Sequence, residues 1–341
     1  MAARSPDWKA VTLAREIFRA LADGDVHSGE ALAETAGVTR SAVWKAIEQL
    51  RELGLEIEAQ TNRGYRLASP CEALDAQRIR EALMPSIRHS TMVNVEWEID
   101  STNGALLSAV PPSPGQFVVL LCENQTGGRG RRGRAWRSAL GDSLCFSIAT
   151  SFEPLPRDLP ALTLVVGTCI RAALRRRGAR DVALKWPNDL VTPTIEKLGG
   201  ILVELRAEAG GPGHVVIGVG LNLRLTEAAK QRIAETGTIA SDLARCGVEV
   251  DTRNAIAAEI IDRCIEGLMQ FAREGFAPFL ESWRSADALF NQSVRVFDGA
   301  GEREGLARGI DEQGALQIET SQGQRMSLIG GEVSVRREGR S

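Results

Sequence analysis

The chain has 341 residues, 43% of them hydrophobic and 25% charged, with a formal net charge of −3. That length exceeds one ordinary hydrophobic core and predicts two or three domains. The near-neutral balance excludes a broad nucleic-acid footprint over the whole surface, and no apolar run approaches the roughly 18 residues of a membrane helix.

The N-terminal MAARSPDWKA lacks the apolar core of a secretory leader. Helical periodicity runs from residue 10 to 22, with Val11, Leu13, Ala14, Ile17, Phe18 and Leu21 on one face. Ser28 opens a short second helix, SGEALAETA. Gly37-Val38 then turns the chain, and Thr39 caps a third helix that Gly54 closes. The strands LEIEA and GYRLA come next, around Thr61-Asn62-Arg63-Gly64. Two short helices with a glycine turn, then a hairpin, predict a winged helix-turn-helix over residues 1–68. This module carries nine cations against ten anions, so its non-specific affinity for DNA should be low. Thr39, Arg40, Ser41 and Lys45 on the third helix, with Arg63 and Arg66 on the wing, are placed to touch a duplex. The alternative is a winged helix that only packs or binds protein.

ASPCEALD (68–75) reads as a linker. Over residues 69–288, strands at 93–99, 117–123, 143–150, 181–185, 197–207 and 214–223 mix with helices at 75–83, 102–109, 159–176, 253–273 and 276–287. The helix from 253 is the clearest, with Ile256, Ile260, Cys264 and Leu268 on one face. Beyond residue 290, SVRVF, REGLARGI, GALQIET, QRMSLI and EVSVR are short strands with glycine turns, which predict a small β barrel over 289–341. The fold class is α+β. Cys71, Cys122, Cys145, Cys169, Cys246 and Cys264 are scattered without C-x-x-C spacing, so a reduced, cytoplasmic location is expected. His27, His89 and His214 are too dispersed for a His-rich metal site.

QTGGRGRRGRAW contains a G-x-G-x-x-G match at Gly128, Gly130 and Gly133. A dinucleotide site needs a helix after that loop, and here the strand SLCFSI comes next. Arg129, Arg131, Arg132 and Arg134 are also too bulky for close backbone approach to a pyrophosphate. A cationic loop hinged at Gly127, Gly128, Gly130 and Gly133 better suits an anion that is enclosed and then released. Only five of the 41 Lys-plus-Arg cations are lysine (Lys9, Lys45, Lys185, Lys197, Lys230), and Lys185 and Lys197 bracket one short segment. That segment opens with KWPNDL, which reads as a Pro-Asn-Asp turn or a site. It leads into KLGGILVEL, whose paired glycines admit close approach. In IDSTNGALL, Ser101, Thr102 and Asn103 can cap a helix or read a small polar head group.

Together STN, QTGGRGRRGRAW, KWPNDL, KLGGILVEL and VIGVGLN, in this order and spacing, resemble the biotin–protein ligases. HSGEALAETAGVTRSAVWKAI, RGIDEQGAL and GGEVSVR resemble the longer, bifunctional members, so the resemblance covers nearly the whole chain. It implies a DNA-binding winged helix, a central domain like the class II synthetases and an SH3-like C-terminal barrel. It also implies a two-step reaction: biotin and MgATP give biotinyl-5′-AMP, which then acylates a lysine of a biotin carboxyl carrier domain.

The residues fit that chemistry. A carboxylate approaching a polyphosphate needs cations to offset repulsion, and a labile adenylate needs a cover. By this resemblance Lys197, Arg131 and Asp189 are catalytic, Asp189 lying near the acceptor lysine or magnesium. Ser101, Thr102, Asn103, Gln125, Arg129, Gly130, Arg131 and Lys197 bind biotin. Gly127, Gly128, Arg129, Gly130, Arg131, Arg132, Gly133, Arg134 and Trp136 form the loop over the adenylate, and Lys185, Asn188, Gly200 and Asn222 support it. The resemblance further implies an operator DNA, a homodimer formed on adenylate binding and no membrane association. Two other readings are a lipoate-type ligase of related fold and a ligand-sensing regulator without ligase activity. The winged helix and GGRGRRG argue against the first; the loop and both lysines argue against the second.

Overall fold

The computed structural model describes residues 8–138, 140–207, 211–298, 301–329 and 334–337. Gly330 to Val333, which begin the expected GGEVSVR stretch, lie outside the described residues.

Three helices, α1 (Trp8–Leu21), α2 (Gly29–Ala36) and α3 (Arg40–Glu52), precede a two-stranded antiparallel hairpin, β1 (Ile57–Gln60) and β2 (Gly64–Leu67). The boundaries follow the caps. Ser28 Oγ accepts from Ala31 N, Thr39 Oγ1 accepts from Ala42 N, and Gly37 closes α2 at φ 64°. Gly64 is required where it stands: at φ +132°, an added Cβ would sit 1.9 Å from His27 O. The hairpin is thereby pressed against the start of α2, as a wing must be.

Next come α4 (Ala76–Ala82), α5 (Pro85–Arg88), β3 (Thr91–Ile99), α6 (Thr102–Ser108), β4 (Phe117–Gln125), β5 (Ser143–Phe152), α7 (Leu162–Arg176), β6 (Ala183–Lys185), β7 (Asp189–Val191), β8 (Lys197–Ala207), β9 (Gly213–Asn222), α8 (Glu227–Ala234), α9 (Arg253–Glu274) and α10 (Leu280–Arg284). The strands form one sheet in the order β3-β4-β5-β9-β8-β7-β6. Side chains alternate between its faces. Phe146, Ile148, Ile217 and Leu221 point toward α7 and α9 and build the main core with Ile256, Ile260, Cys264 and Leu268. Leu120, Ala149 and Val216 point the other way and pack against Leu106 of the short α6. That second face is only partly roofed, and a pocket opens on it.

The expected helix at 276–287 is a 3-10 turn, Ala277–Phe279, and then the one-turn α10. The short α5 and α8 were not expected from periodicity. The chain ends in five antiparallel strands, β10 (Ser293–Asp298), β11 (Gly301–Ile310), β12 (Leu316–Glu319), β13 (Arg325–Leu328) and β14 (Ser334–Arg337), ordered β13-β12-β11-β10-β14. They join the central core directly: buried Trp186 donates its indole N–H to Gly314 O at 3.0 Å, and Arg284 donates to Ile310 O.

The expected linker at 68–75 is held fast. Arg253, 1% exposed, meets Glu123, 4% exposed, at 2.8 Å. Arg253 also donates to Glu72 O and Ser143 O, while Glu123 accepts from Leu74 N. Asn254 donates its side chain to Ala73 O and accepts from Asp75 N. Burial opposes the charge on Arg253, but Glu123 beside it holds the guanidinium above its ordinary range. Removing one partner of such a pair leaves a buried charge uncompensated and costs about 3–5 kcal/mol. The composition of ASPCEALD is linker-like, but Cys71 and Leu74 supply enough apolar surface for these bonds to lock it down.

The clamp also seats the winged helix. Phe18 meets Trp97 of β3 with ring centroids 5.6 Å apart, and Leu140 is buried in the same cluster. Cys71 donates its thiol to Gly141 O. At Asp142, burial pushes the carboxyl up to about 6; Arg224 and Arg253 pull it down, and Glu56 and Asp242 raise it. A raised acid stabilises the fold below its unfolded value, and that stability is lost as pH rises through about 6. Asp142→Asn removes the ionisation. Its unfolding free energy, measured by urea titration relative to the parent, is expected to gain roughly 2 kcal/mol between pH 4 and pH 7. A pH-independent difference would show that the carboxyl is not held up by burial.

Candidate functional site

A cavity of about 610 Å³ opens on the α6 face of the sheet. It is lined by Ser101, Thr102, Asn103, Gln125, Arg129, Gly130, Arg131, Arg132, Arg134, Trp136, Lys185, Asn188, Asp189, Lys197, Gly200 and Asn222, so residues from distant motifs converge. Its floor is set by strand register. Ser147 of β5 pairs with Gly218 of β9, which pairs with Leu202 of β8. Two residues along each strand, Cys145, Gly220 and Gly200 form the next row, ending at Asp189 of β7. Same-face rows lie about 7 Å apart. The first row floors an uncharged end of the cavity, and the second floors a charged end.

Glycine is dictated in both rows. A Cβ on Gly218 would come within 2.4 Å of Asn103 Oδ1, and one on Gly220 within 2.4 Å of the Trp136 ring. Asn103 therefore lies across β9 at the uncharged end, and the Trp136 indole covers Gly220 in the second row. Trp136 donates its N–H to Cys145 Sγ at 3.3 Å.

At the uncharged end the polar groups are bonded in a relay. Gln125 Oε1 accepts from Thr102 N at 2.8 Å and lies 3.1 Å from Thr102 Oγ1. Ser147 Oγ lies within bonding distance of Thr102 Oγ1 and Asn103 Oδ1. Asn103 donates to Leu202 O and Glu204 Oε2. Ser101 caps α6 by accepting from Gly104 N. Ser101, Thr102 and Asn103 are 4%, 3% and 4% exposed. They line the cavity, and each also has a partner within the protein that fixes its position. Sequence reasoning missed Ser147 and Glu204. The only trace of Ser147 was its place on the pocket-facing alternation of β5.

At the charged end Lys197 Nζ meets Asp189 Oδ1 at 2.8 Å and stands 5.9 Å from the Trp136 ring centroid. A Cβ on Gly200 would lie 3.3 Å from Lys197 Nζ, so this glycine leaves room for the ammonium. The Lys197 backbone is pinned from three sides: its N–H donates to Ile239 O, and its carbonyl accepts from Ser241 N and from the Asn222 side chain. Asn188 donates to Ile201 O and accepts from Arg131 Nη1 at 3.1 Å. KWPNDL is thus a turn whose polar atoms fasten β7 to β8 and hold an arginine. The segment 233–240, which also lines this end, was not anticipated, although Thr226 and Gly237 are recognisable helix-end signals.

The arginine loop is folded back on itself. Gly130 N donates to Arg134 O, and Trp136 N donates to Gly128 O. Gly127 and Gly128 do not line the cavity. A Cβ on Gly127 would come within 1.8 Å of Asp100 Oδ1, and one on Gly128 within 2.6 Å of Trp136 O. These two glycines permit the loop's close packing, and Gly133 supplies a positive φ of 70°. The loop divides its charges: Arg131 turns to Asn188 at the charged end, while Arg129 pairs with Glu204 at 3.6 Å beside the uncharged end.

On the winged helix, Arg40, Ser41, Trp44 and Lys45 are exposed along α3, and Arg63 is exposed at the wing tip. Arg66 is engaged with its cross-strand neighbour Glu58 at 2.7 Å. Thr39 is occupied as the cap of α3 and bonds with Ser41.

Family models match three stretches: an HTH domain over residues 14–66, the Biotin/lipoate A/B protein ligase family over 98–222, and the Biotin protein ligase C terminal domain over 289–336. The chain is 38% identical over 329 residues to the bifunctional ligase/repressor BirA of Salmonella typhimurium, covering 96% of this chain and 99% of that one. It is 37% identical to the protein of that name from Escherichia coli, covering 95% and 98%. Among solved structures, it matches a biotin protein ligase from Aquifex aeolicus in complex with biotin and ATP at TM-score 0.61 and 28% identity, covering 72% of this chain and 99% of that one.

Gly220→Ala tests the pocket floor. The new methyl must displace the indole and break its bond to Cys145, at an overpacking cost of roughly 1–3 kcal/mol. Tryptophan emission is expected to shift to the red in the folded variant, with a lower midpoint of thermal unfolding. Unchanged emission would mean that Trp136 does not rest on β9.

Proposed function

This chain belongs to the biotin–protein ligase family, and we propose that it joins biotin to a lysine of a biotin carboxyl carrier domain and, with the adenylate bound, represses transcription. One observation carries the ligase reading: a single cavity joins an end of neutral hydrogen-bonding side chains to a cationic end, with the Trp136 indole against its floor. Biotin has that layout, a neutral ureido ring at one end and a carboxylate at the other, joined by an apolar stem. Lipoate ends instead in an apolar dithiolane, which would offer no hydrogen-bonding partner to the polar Gln125–Thr102 end.

In the first step the biotin carboxylate oxygen bonds to the α-phosphorus of ATP, and the bond to the β-phosphate bridging oxygen breaks, releasing pyrophosphate. Lys197, with three N–H donors, can stay on Asp189 while it meets the carboxylate and an α-phosphate oxygen. Arg131 suits bidentate phosphate contact, and the bond to Asn188 orients it. Arg132 and Arg134 add positive charge to the cover, which keeps water from the mixed anhydride. In the second step the acceptor amine attacks the acyl carbon and AMP leaves. Asp189 lies where it could receive the amine's proton or orient the amine. Magnesium supplies charge neutralisation on the polyphosphate. It needs few protein oxygens when phosphates hold it, and Asp189 is the carboxylate at this end that fits.

The repressor reading rests on the exposed Arg40, Ser41, Trp44, Lys45 and Arg63. The adenylate would act as corepressor by favouring a homodimer whose two winged helices meet two half-sites. Among the described residues no helix is long and apolar enough to cross a membrane, and a cytoplasmic location fits the free cysteines.

Lys197→Ala is expected to lower biotin-dependent exchange of pyrophosphate into ATP by roughly 100-fold or more, with the thermal midpoint little changed. Full exchange in the folded variant would remove Lys197 from the reaction. For repression, DNA binding by gel shift on the promoter of the chain's own biotin genes should require biotin and ATP together. A near-neutral module binds weakly alone, and pairing two copies raises affinity through effective concentration. Arg40→Ala or Lys45→Ala should abolish the shift and leave ligation intact. Equal binding with and without substrates would refute the corepressor role.

A further inference from the structure

Behind Asn103, beside the uncharged end of the cavity, stands a carboxylate that the reaction does not need. Glu204, on β8, shares a sheet face with Gly200 and Leu202 by strand alternation and lies one step beyond Leu202, away from the charged end. Its Oε2 accepts from Asn103 Nδ2 at 2.9 Å, and its Oε1 lies 3.6 Å from Arg129 Nη1. Arg129 reaches it by lying across the start of α6, where a Cβ on Gly104 would sit 3.0 Å from its Nη2.

The direction of the hydrogen bonds gives this carboxylate a consequence. A carboxylate only accepts, and so does the Leu202 carbonyl. Both Asn103 N–H bonds are therefore directed toward β8, and Asn103 Oδ1 must face Ser147. Asn103 Oδ1 only accepts, so the single Ser147 proton goes to it, and the Ser147–Thr102 contact is closed by the Thr102 proton. Gln125 Oε1 accepts from Thr102 N and is committed inward whichever way the hydroxyls point. Thr102 Oγ1 keeps its remaining lone pair for a ligand N–H. Reversing Asn103 would set its oxygen against Glu204 and Leu202 O.

We propose that Glu204 is a positioning residue for the neutral head of the acid substrate. By accepting from Asn103 it fixes the direction of the Asn103–Ser147–Thr102 relay, so that the hydroxyl protons run toward Asn103 and Thr102 Oγ1 is presented as an acceptor to a ureido N–H. The inference rests on the biotin-ligase reading and adds to it a residue that does not touch the substrate. Because it acts through an accepted hydrogen bond, its charge is dispensable and its acceptor oxygen is not. Glu204→Gln keeps an oxygen for Asn103 but loses the ion pair with Arg129. Glu204→Ala loses both.

The experiment is steady-state pyrophosphate exchange by the full chain, with biotin and ATP varied separately, on the parent, Glu204→Ala, Glu204→Gln, Asn103→Ala and the Glu204→Ala/Asn103→Ala double variant. Circular dichroism and thermal midpoints show which variants are folded. Glu204→Ala is expected to raise KM for biotin about tenfold with KM for ATP within twofold of the parent. Glu204→Gln should restore KM for biotin to within twofold. The double variant should be no worse than Asn103→Ala, because both changes break the same relay. Three results would each overturn the proposal: an unchanged biotin KM in Glu204→Ala, a parallel rise for both substrates, or a Gln variant as impaired as the Ala variant. If the parent itself shows no biotin-dependent exchange, the ligase reading falls and this inference falls with it. A parent that exchanges normally beside an unaffected Glu204→Ala removes the inference alone.

Discussion

The buried contact between Arg253 and Glu123 fixes the origin from which the rest of the molecule is laid out. It joins the first turn of α9 to β4, and through Ser143 O it reaches the first residue of β5. Through Glu72 O and Leu74 N it holds the segment entering from the winged helix. A fully buried ion pair is poor evidence of net stability, because desolvation offsets much of the attraction. Its value here is geometric. Each partner also bonds backbone from another part of the chain, so the pair forms only when four pieces of backbone are in place.

From that origin strand register builds the pocket. Once β4, β5, β9 and β8 are aligned, every second residue faces α6. On β9 those residues include Gly218 and Gly220, on which Asn103 and Trp136 lie. Larger residues there would fill the cavity from below. The same alternation brings Ser147 and Glu204 to the uncharged end and Asp189 to the charged end. The chemistry sits at the two ends of one cavity because one two-residue strand repeat, about 7 Å, separates the rows.

Much of this was legible in the sequence, for identifiable reasons. The winged helix announced itself through local signals, the Ser28 and Thr39 caps and the glycine turn. The strand that starts at Ser143, where a dinucleotide fold needs a helix, sets the arginine loop apart from that fold. Convergence of STN, the loop, KWPNDL and Lys197 on one cavity came from resemblance, since no spacing rule brings them together. What escaped was set by tertiary partners. ASPCEALD has a linker's composition, and only the buried Arg253 makes it part of the core. Gly127 and Gly128 look like hinges, but that Asp100 and Trp136 leave no room for a side chain at either was not legible. Glu204 and Ser147 carried no motif, and Arg66 looked available until its cross-strand partner Glu58 was placed. In each case the deciding neighbour is distant in the chain or invisible to local propensity.

The contacts also bear on how one chain can serve two functions. The Asn222 side chain donates to the Lys197 and Ser241 carbonyls, and the Asn222 backbone carbonyl accepts from Leu243 N. The next two residues, Leu223 and Arg224, donate to Asp142 O. Gly141, beside Asp142, has its Cα hydrogens against the winged-helix side: a Cβ there would lie 2.9 Å from Cys71 Sγ and 3.3 Å from Leu55 Cδ2. A backbone shift at Lys197 therefore has no slack to disappear into before it reaches the residues that seat the winged helix. Contiguity of this kind does not itself amount to coupling, since a ligand shifts an equilibrium only by binding two states differently. It does define where two such states would have to differ. Arg40, Ser41, Trp44 and Lys45 face solvent while Val43, Ala46, Ile47 and Leu50 of the same helix pack in the cluster that holds Cys71 and Leu55, so a change here would alter how the winged helix is seated rather than the chemistry of its exposed surface.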